Sequence, residues 1–128
     1  MCSLAAAGAL AATAEEPLGA TRLRLKNPDL GRPKAIAEGR MLFVEAGCSK
    51  CHGSGARGGK GPDLTDDVWI IDGTDESLFR AISKGRPKRD LKGEQMPAWE
   101  EALEPDQVWK LIAWIRSIYR GDPKKRVW

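Results

Sequence analysis

The chain has 128 residues, 41% of them hydrophobic and 30% charged, with a formal net charge of +3. That is enough for one domain with a modest core. No apolar run in it reaches more than about half of the roughly 20 residues a bilayer-spanning helix needs, and its aromatics fall in apolar periods, not in a basic surface pattern suited to nucleic acid.

Residues 1–14 carry no charged side chain and end in Ala12-Thr13-Ala14, similar to an A-x-A cleavage site, so they read as a signal peptide with the mature chain beginning near Glu15. The positively charged start of such a leader is missing, which leaves open a longer leader or an Ala-rich tail. Cleavage would remove Cys2 and leave Cys48 and Cys51. Residues 15–33 contain Pro17, Pro28 and Pro33 but no sustained period, and are expected to form an irregular extension. A helix is predicted from about Pro33 to Ala46: proline suits its first position, Ile36, Gly39, Phe43 and Ala46 share one stripe, and Gly47 ends it.

Cys48-Ser49-Lys50-Cys51-His52 follows at once. C-x-x-C-H reads as a covalent attachment site for c-type haem. On one helical turn the two cysteines project from the same side, each able to form a thioether with a haem vinyl group, and His52 is placed to bind iron. A redox dithiol would want strand and helix alternation, and strand signals are scarce. Zinc would need a fourth ligand, and beyond these three the chain offers only Cys2. A dithiol or disulfide stays open as the plainer alternative.

Gly53 to Asp67 holds five glycines but no G-K-[ST], because Gly61 follows Lys60, so a phosphate loop is not supported. A second helix is predicted from Asp75 to Lys84, with Leu78, Ala81 and Ile82 inward and Gly85 and Pro87 as its stop. Met96 stands in a stretch without helical period. A last helix starts at Pro105; Val108, Leu111, Ile112, Ile115 and Tyr119 recur at helical spacing before Gly121 and Pro123 terminate it, leaving 121–128 as a tail.

With these elements the chain resembles the class I c-type cytochromes, mono-haem and His/Met-ligated, over roughly residues 34–120. The resemblance implies an all-α cytochrome c fold, a small helical domain wrapped around one haem c attached through Cys48 and Cys51. It also implies that Gly39 and Phe43 on the first helix cross Leu111-Ile112-Ala113-Trp114 on the last. One extra residue between Phe43 and Cys48 departs from the family pattern and is expected to be absorbed at Gly47. Gly61-Pro62-Asp63-Leu64 resembles the loop whose proline carbonyl accepts the second ring N–H of the iron-binding histidine, giving Pro62 that role; a simple turn is the alternative. Met96-Pro97 resembles the sixth-ligand loop, so His52 and Met96 become the metal ligands. Leu64 to Trp69 resembles a segment of cytochrome subunits of respiratory oxidases and quinoprotein alcohol dehydrogenases, which sets Trp69 near the haem propionates, with plain packing as the alternative. Trp99 reads as a lid over the haem or as a partner contact.

Six acidic and no basic side chains lie between Asp63 and Glu76, whereas Lys84, Arg86, Lys88, Arg89 and Lys92 crowd residues 84–92 against Asp90 alone. That basic patch precedes Met96, and it reads either as a steering surface for an acidic redox partner or as an ordinary solvated loop. The expected function follows from the ligands. With His52 and Met96 both on iron the protein carries single electrons and is not an enzyme, taking them from a periplasmic dehydrogenase, of which a quinoprotein alcohol dehydrogenase is one candidate, and passing them to an oxidase or cytochrome. A periplasmic monomer without a transmembrane anchor is expected. A haem enzyme or gas-binding protein with an open sixth position, and a tightly bound subunit of a larger redox complex, are the alternatives.

Overall fold

A computed structural model describes residues 25–69, 71–87 and 95–128. The expected leader 1–14, residues 15–24 of the extension, and Lys88, Arg89 and Lys92 of the basic patch lie outside the described residues. Among the described residues four α-helices and a short 3-10 turn follow one another: α1 Pro33–Glu45, α2 Ser49–His52, α3 Asp75–Lys84, α4 Pro105–Ser117 and the turn Pro123–Lys125. Among the described residues there is no strand, and the single isolated β-bridge pairs Arg86 with Met96. None of the described helices is long and apolar enough to cross a membrane.

The three longer helices begin where local chemistry removes or satisfies N–H groups that would lack a helical partner. Proline occupies the first turn of α1 and of α4, where an N–H would have no helical partner. The Thr74 side chain accepts the Ser77 N–H at 3.2 Å to cap α3, and Glu104 and Gln107 form a reciprocal capping box at the start of α4. Gly47, at φ +93°, turns the chain out of α1 and into the α2 turn.

α4 stops at Ser117, short of the Tyr119 expected from periodicity. Beyond it the Arg120 N–H bonds the Thr65 carbonyl at 2.7 Å, so a long-range contact draws the chain off the helical path before Gly121 is reached.

The core lies where α1 crosses α4. Phe43, Val108, Leu111 and Ile112 are at most 1% exposed, and the Phe43 and Trp114 rings sit 4.7 Å apart, tilted by 49°. Gly39 makes the crossing close: a Cβ there would overlap the Lys110 carbonyl and come within 3.1 Å of Trp114 Cβ. At the flank Lys110 Nζ pairs with Glu38 Oε2 at 2.7 Å. The end of the extension is tied down as well. The Asn27 N–H donates to Asp75 Oδ2 at 2.8 Å and its side-chain amide to the Trp109 carbonyl at 3.0 Å, giving 25–33 a fixed course that its sequence did not reveal.

Candidate functional site

An apolar cleft of about 500 Å³ opens beside this core, within the roughly 300–1,000 Å³ usual for cofactor sites. Phe43, Leu78, Ile82, Leu111 and Ile115 supply its floor from three helices. Cys48, Cys51, His52, Pro62, Trp69 and Met96, the residues singled out in the sequence, all line it.

The His52 end is built almost entirely from neighbours in sequence. Cys48 to His52 make one helical turn, with the His52 N–H on the Cys48 carbonyl at 3.0 Å. Both cysteines are half-buried and free of any disulfide. Burial pushes the Cys48 thiol up to about 11. His52 is buried, and its Nδ1 lies 2.9 Å from the Pro62 carbonyl oxygen. A carbonyl only accepts, so Nδ1 carries the proton and Nε2 keeps its lone pair for a metal. Burial also holds the imidazole below its ordinary range, against the opposing pull of the Pro62 bond, so the neutral form prevails.

The loop after His52 is folded onto it. The Gly61 N–H bonds the Cys51 carbonyl at 2.7 Å, and a Cβ at Gly61 would stand 2.8 Å from His52 Cε1. Asp63 next to Pro62 accepts both the N–H and the hydroxyl of Thr65 at 2.7 Å. Arg120 then locks this turn from the far end of the chain, donating to Asp63 Oδ2 at 2.6 Å and to the Thr65 hydroxyl at 2.7 Å. Burial raises the Asp63 carboxyl, but its bonds to Thr65 and Arg120 together outweigh that and bring it below the usual carboxylate range.

Met96 arrives differently. Its backbone exchanges two 2.9 Å hydrogen bonds with Arg86, and the Trp99 and Glu100 N–H groups take the Ile82 and Ser83 carbonyls at 3.0 and 3.1 Å, acceptors left over at the end of α3. Gly85, read from sequence only as a helix stop, is the pivot: at φ +76° it packs so closely that a Cβ would overlap the Met96 carbonyl oxygen and sit 2.8 Å from Pro97. Trp99 is half-buried and lines the cleft next to it. Trp69 forms another part of the wall, its indole laid on Gly73, where a Cβ would be 2.9 Å from Cδ1. Of the basic patch, Lys84 is paired at the surface with Glu100 at 3.0 Å, and Arg86 points to the cleft that it helps to line.

These features suit haem c. The cleft is apolar, two unpaired thiols and a neutral imidazole stand together on one turn, and Gly61 leaves room for nothing between its own backbone and that imidazole. The charged side chains lining the cleft among the described residues are Lys50, Lys60 and Arg86, with no carboxylate, an environment fit for a ring that carries propionates.

Sequence reasoning missed Gly85, the Asp63–Thr65–Arg120 lock and a buried Asp75–Arg116 pair. Asp63-Leu64-Thr65 carries a legible signal, an Asx-type turn. The other two depend on partners distant in sequence and carry none.

A small helical domain enclosing an apolar cleft with C-x-x-C-H on its rim defines a c-type cytochrome. The chain belongs to the cytochrome c family: the model described as cytochrome C oxidase, cbb3-type, subunit III, matches residues 34–115. It is 37% identical over 95 residues to cytochrome c-L of Methylorubrum extorquens, covering 73% of this chain and 45% of that one. To the cbb3-type cytochrome c oxidase subunit FixP of Sinorhizobium medicae it is 33% identical over 98 residues, covering 73% of this chain and 33% of the subunit. The crystal structure of cytochrome CL from Methylophaga aminisulfidivorans superposes with a TM-score of 0.69 at 32% identity, covering 78% of this chain and 63% of that one. The chain thus has the cytochrome c fold, binds haem c covalently, and is of the electron-transfer class. It spans about a third of the length of the FixP subunits and under half of cytochrome c-L.

Proposed function

We propose that this protein is a single-electron carrier of the periplasm, with haem c joined to Cys48 and Cys51 and iron held by His52 Nε2 and the Met96 thioether. The observation that carries this reading is the convergence of His52 and Met96, 44 positions apart in the chain, on one cleft. When bound, haem c supplies a reversible one-electron step between ferric and ferrous iron. The residues do the rest. Pro62 fixes the His52 tautomer and would raise its basicity as a ligand; Met96, with its soft sulfur, would favour the reduced state; with both bound, a small ligand would have to displace one of them. The apolar floor offers water no polar partner. The unit is read as residues 34–120, with a dehydrogenase as electron donor and an oxidase or another cytochrome as acceptor, a choice supported by the likeness of residues 64–69 to cytochromes serving quinoprotein alcohol dehydrogenases. Partners of a carrier dock over small areas and briefly.

The ferric protein is expected to show the weak long-wavelength absorption band of a Met–Fe bond, and Met96→Ala to abolish it while haem stays attached. Rapid carbon monoxide binding by the unmutated ferrous protein would instead give a gas-binding protein or a haem enzyme. The match to an oxidase subunit model favours a second reading, a fixed subunit of a larger redox complex; size-exclusion of the native protein separates it from a free monomer.

A further inference from the structure

Below the Trp69 wall lies a buried ionic group that the ligand geometry does not use. Arg116, on the last turn of α4, has a side chain 1% exposed and Asp75, at the start of α3, one 2% exposed. Arg116 Nε and Nη2 donate to Asp75 Oδ1 at 3.2 and 2.9 Å, and Nη2 also donates to the Gly73 carbonyl at 2.6 Å. Asp75 Oδ2 is taken by the Asn27 N–H at 2.8 Å. The guanidinium lies 3.8 Å from the centre of the Trp128 ring on one side and 5.8 Å from that of Trp69 on the other. Trp128 is in turn held by the edge of Tyr119 at 4.9 Å.

Such a pair is a poor source of stability. Removing two charges from water costs as much as or more than their attraction returns, and apolar replacements of equal shape are often neutral. What the pair supplies is placement. The fork of the guanidinium grips the Gly73 carbonyl, the Trp69 indole rests on the Gly73 backbone, and Trp69 lines the cleft. The contacts run unbroken from Trp128 through Arg116 and Gly73 to Trp69.

We propose that Arg116, backed by Trp128, is a positioning residue that fixes Trp69 in the cleft wall and thereby sets the reduction potential of the haem. This rests on haem occupying the cleft as argued above. Because Asp75 neutralises Arg116, the net field at the cleft is small, and the effect runs through the position of Trp69. A Trp69 released from Gly73 would admit water, which favours the more highly charged ferric state, so the potential falls.

The test is spectroelectrochemical titration of the haem-loaded protein and of Arg116→Lys, Trp69→Phe and the double variant. Lysine keeps the charge but not the fork. The expected result is a lower midpoint in each single variant and a shift in the double variant smaller than the sum of the two. An unchanged midpoint in haem-loaded Arg116→Lys, or a double shift equal to or larger than the sum, overturns the proposal. Should Arg116→Lys not accumulate with haem, Trp128→Leu replaces it, since it removes the ring stacked on the guanidinium and so loosens the grip of Arg116 on the Gly73 carbonyl. A smaller shift of the same sign is expected there, and an unchanged midpoint overturns the proposal. Wild-type protein that carries no haem would refute the carrier reading itself, an outcome distinct from either of these.

Discussion

The two ends of the cleft are made by different means. At the His52 end, residues 51–64 close on one another through Gly61, Pro62 and Asp63, and a single distant residue, Arg120, seals the turn. At the Met96 end, among the described residues, a returning loop and not a tight turn places the side chain. Its place depends on a two-bond bridge to Arg86, on the carbonyls at the end of α3, and on a glycine small enough to let the loop in. A histidine set by turn chemistry depends less on the rest of the fold, whereas a methionine set by docking is only as well placed as the surface it docks on. On the ligation proposed above, the second end is therefore where the ligand field would change without loss of the cofactor.

Substitutions at the two glycines test that contrast most directly. Gly61→Ala drives a methyl into the imidazole and is expected to have the largest effect on the cofactor, a fall in haem-loaded protein with a loss of about 1–3 kcal/mol in stability, read by haemochrome yield and urea unfolding. Gly85→Ala combines a positive φ with overlap on the Met96 carbonyl. It should cost as much stability or more, about 3 kcal/mol, and diminish the long-wavelength band, yet leave haem attached. If it strips haem as completely as Gly61→Ala, the contrast between the two ends is wrong.

Smaller changes refine the picture. Arg120→Ala removes the seal on the Asp63–Thr65 turn and is expected to lower the unfolding free energy by about 1–2 kcal/mol, measured as a urea midpoint at unchanged slope, with no change in the band. Lys84→Ala breaks an exposed pair with Glu100 whose side chains are 65% and 44% accessible. Less than about 0.5 kcal/mol is expected; a larger loss would show that the Met96 end is held from its surface as well as by its backbone.

Much of this was readable in the sequence because it is periodic or local. Apolar spacing and proline or glycine punctuation placed α1, α3 and α4 within a few residues of where they lie, and the family resemblance set Gly39 and Phe43 against the last helix. What escaped has no local pattern. Arg116 falls within an apolar helical run, and nothing beside it indicates that Asp75, 41 positions away, will share its burial. Asn27 sits among prolines and reads as loop. The same holds for the end of α4, where Thr65 overrules helical periodicity. Gly85 was legible as a stop, but only the returning loop gives it a second role.

The crossing of Gly39 on Lys110 also fixes an order of assembly. It joins the first long helix to the last, so contacts that enclose the cleft form late and across a long loop, the slow class of closure. As the chain emerges, Cys48 to His52 appear well before Leu111 and Ile115, which make part of the cleft floor. Until then the thiols stand at the edge of an unfinished pocket, open to whatever machinery joins them to the ring; once α4 docks, the same atoms are enclosed. Attachment before closure is the sequence of events this topology favours.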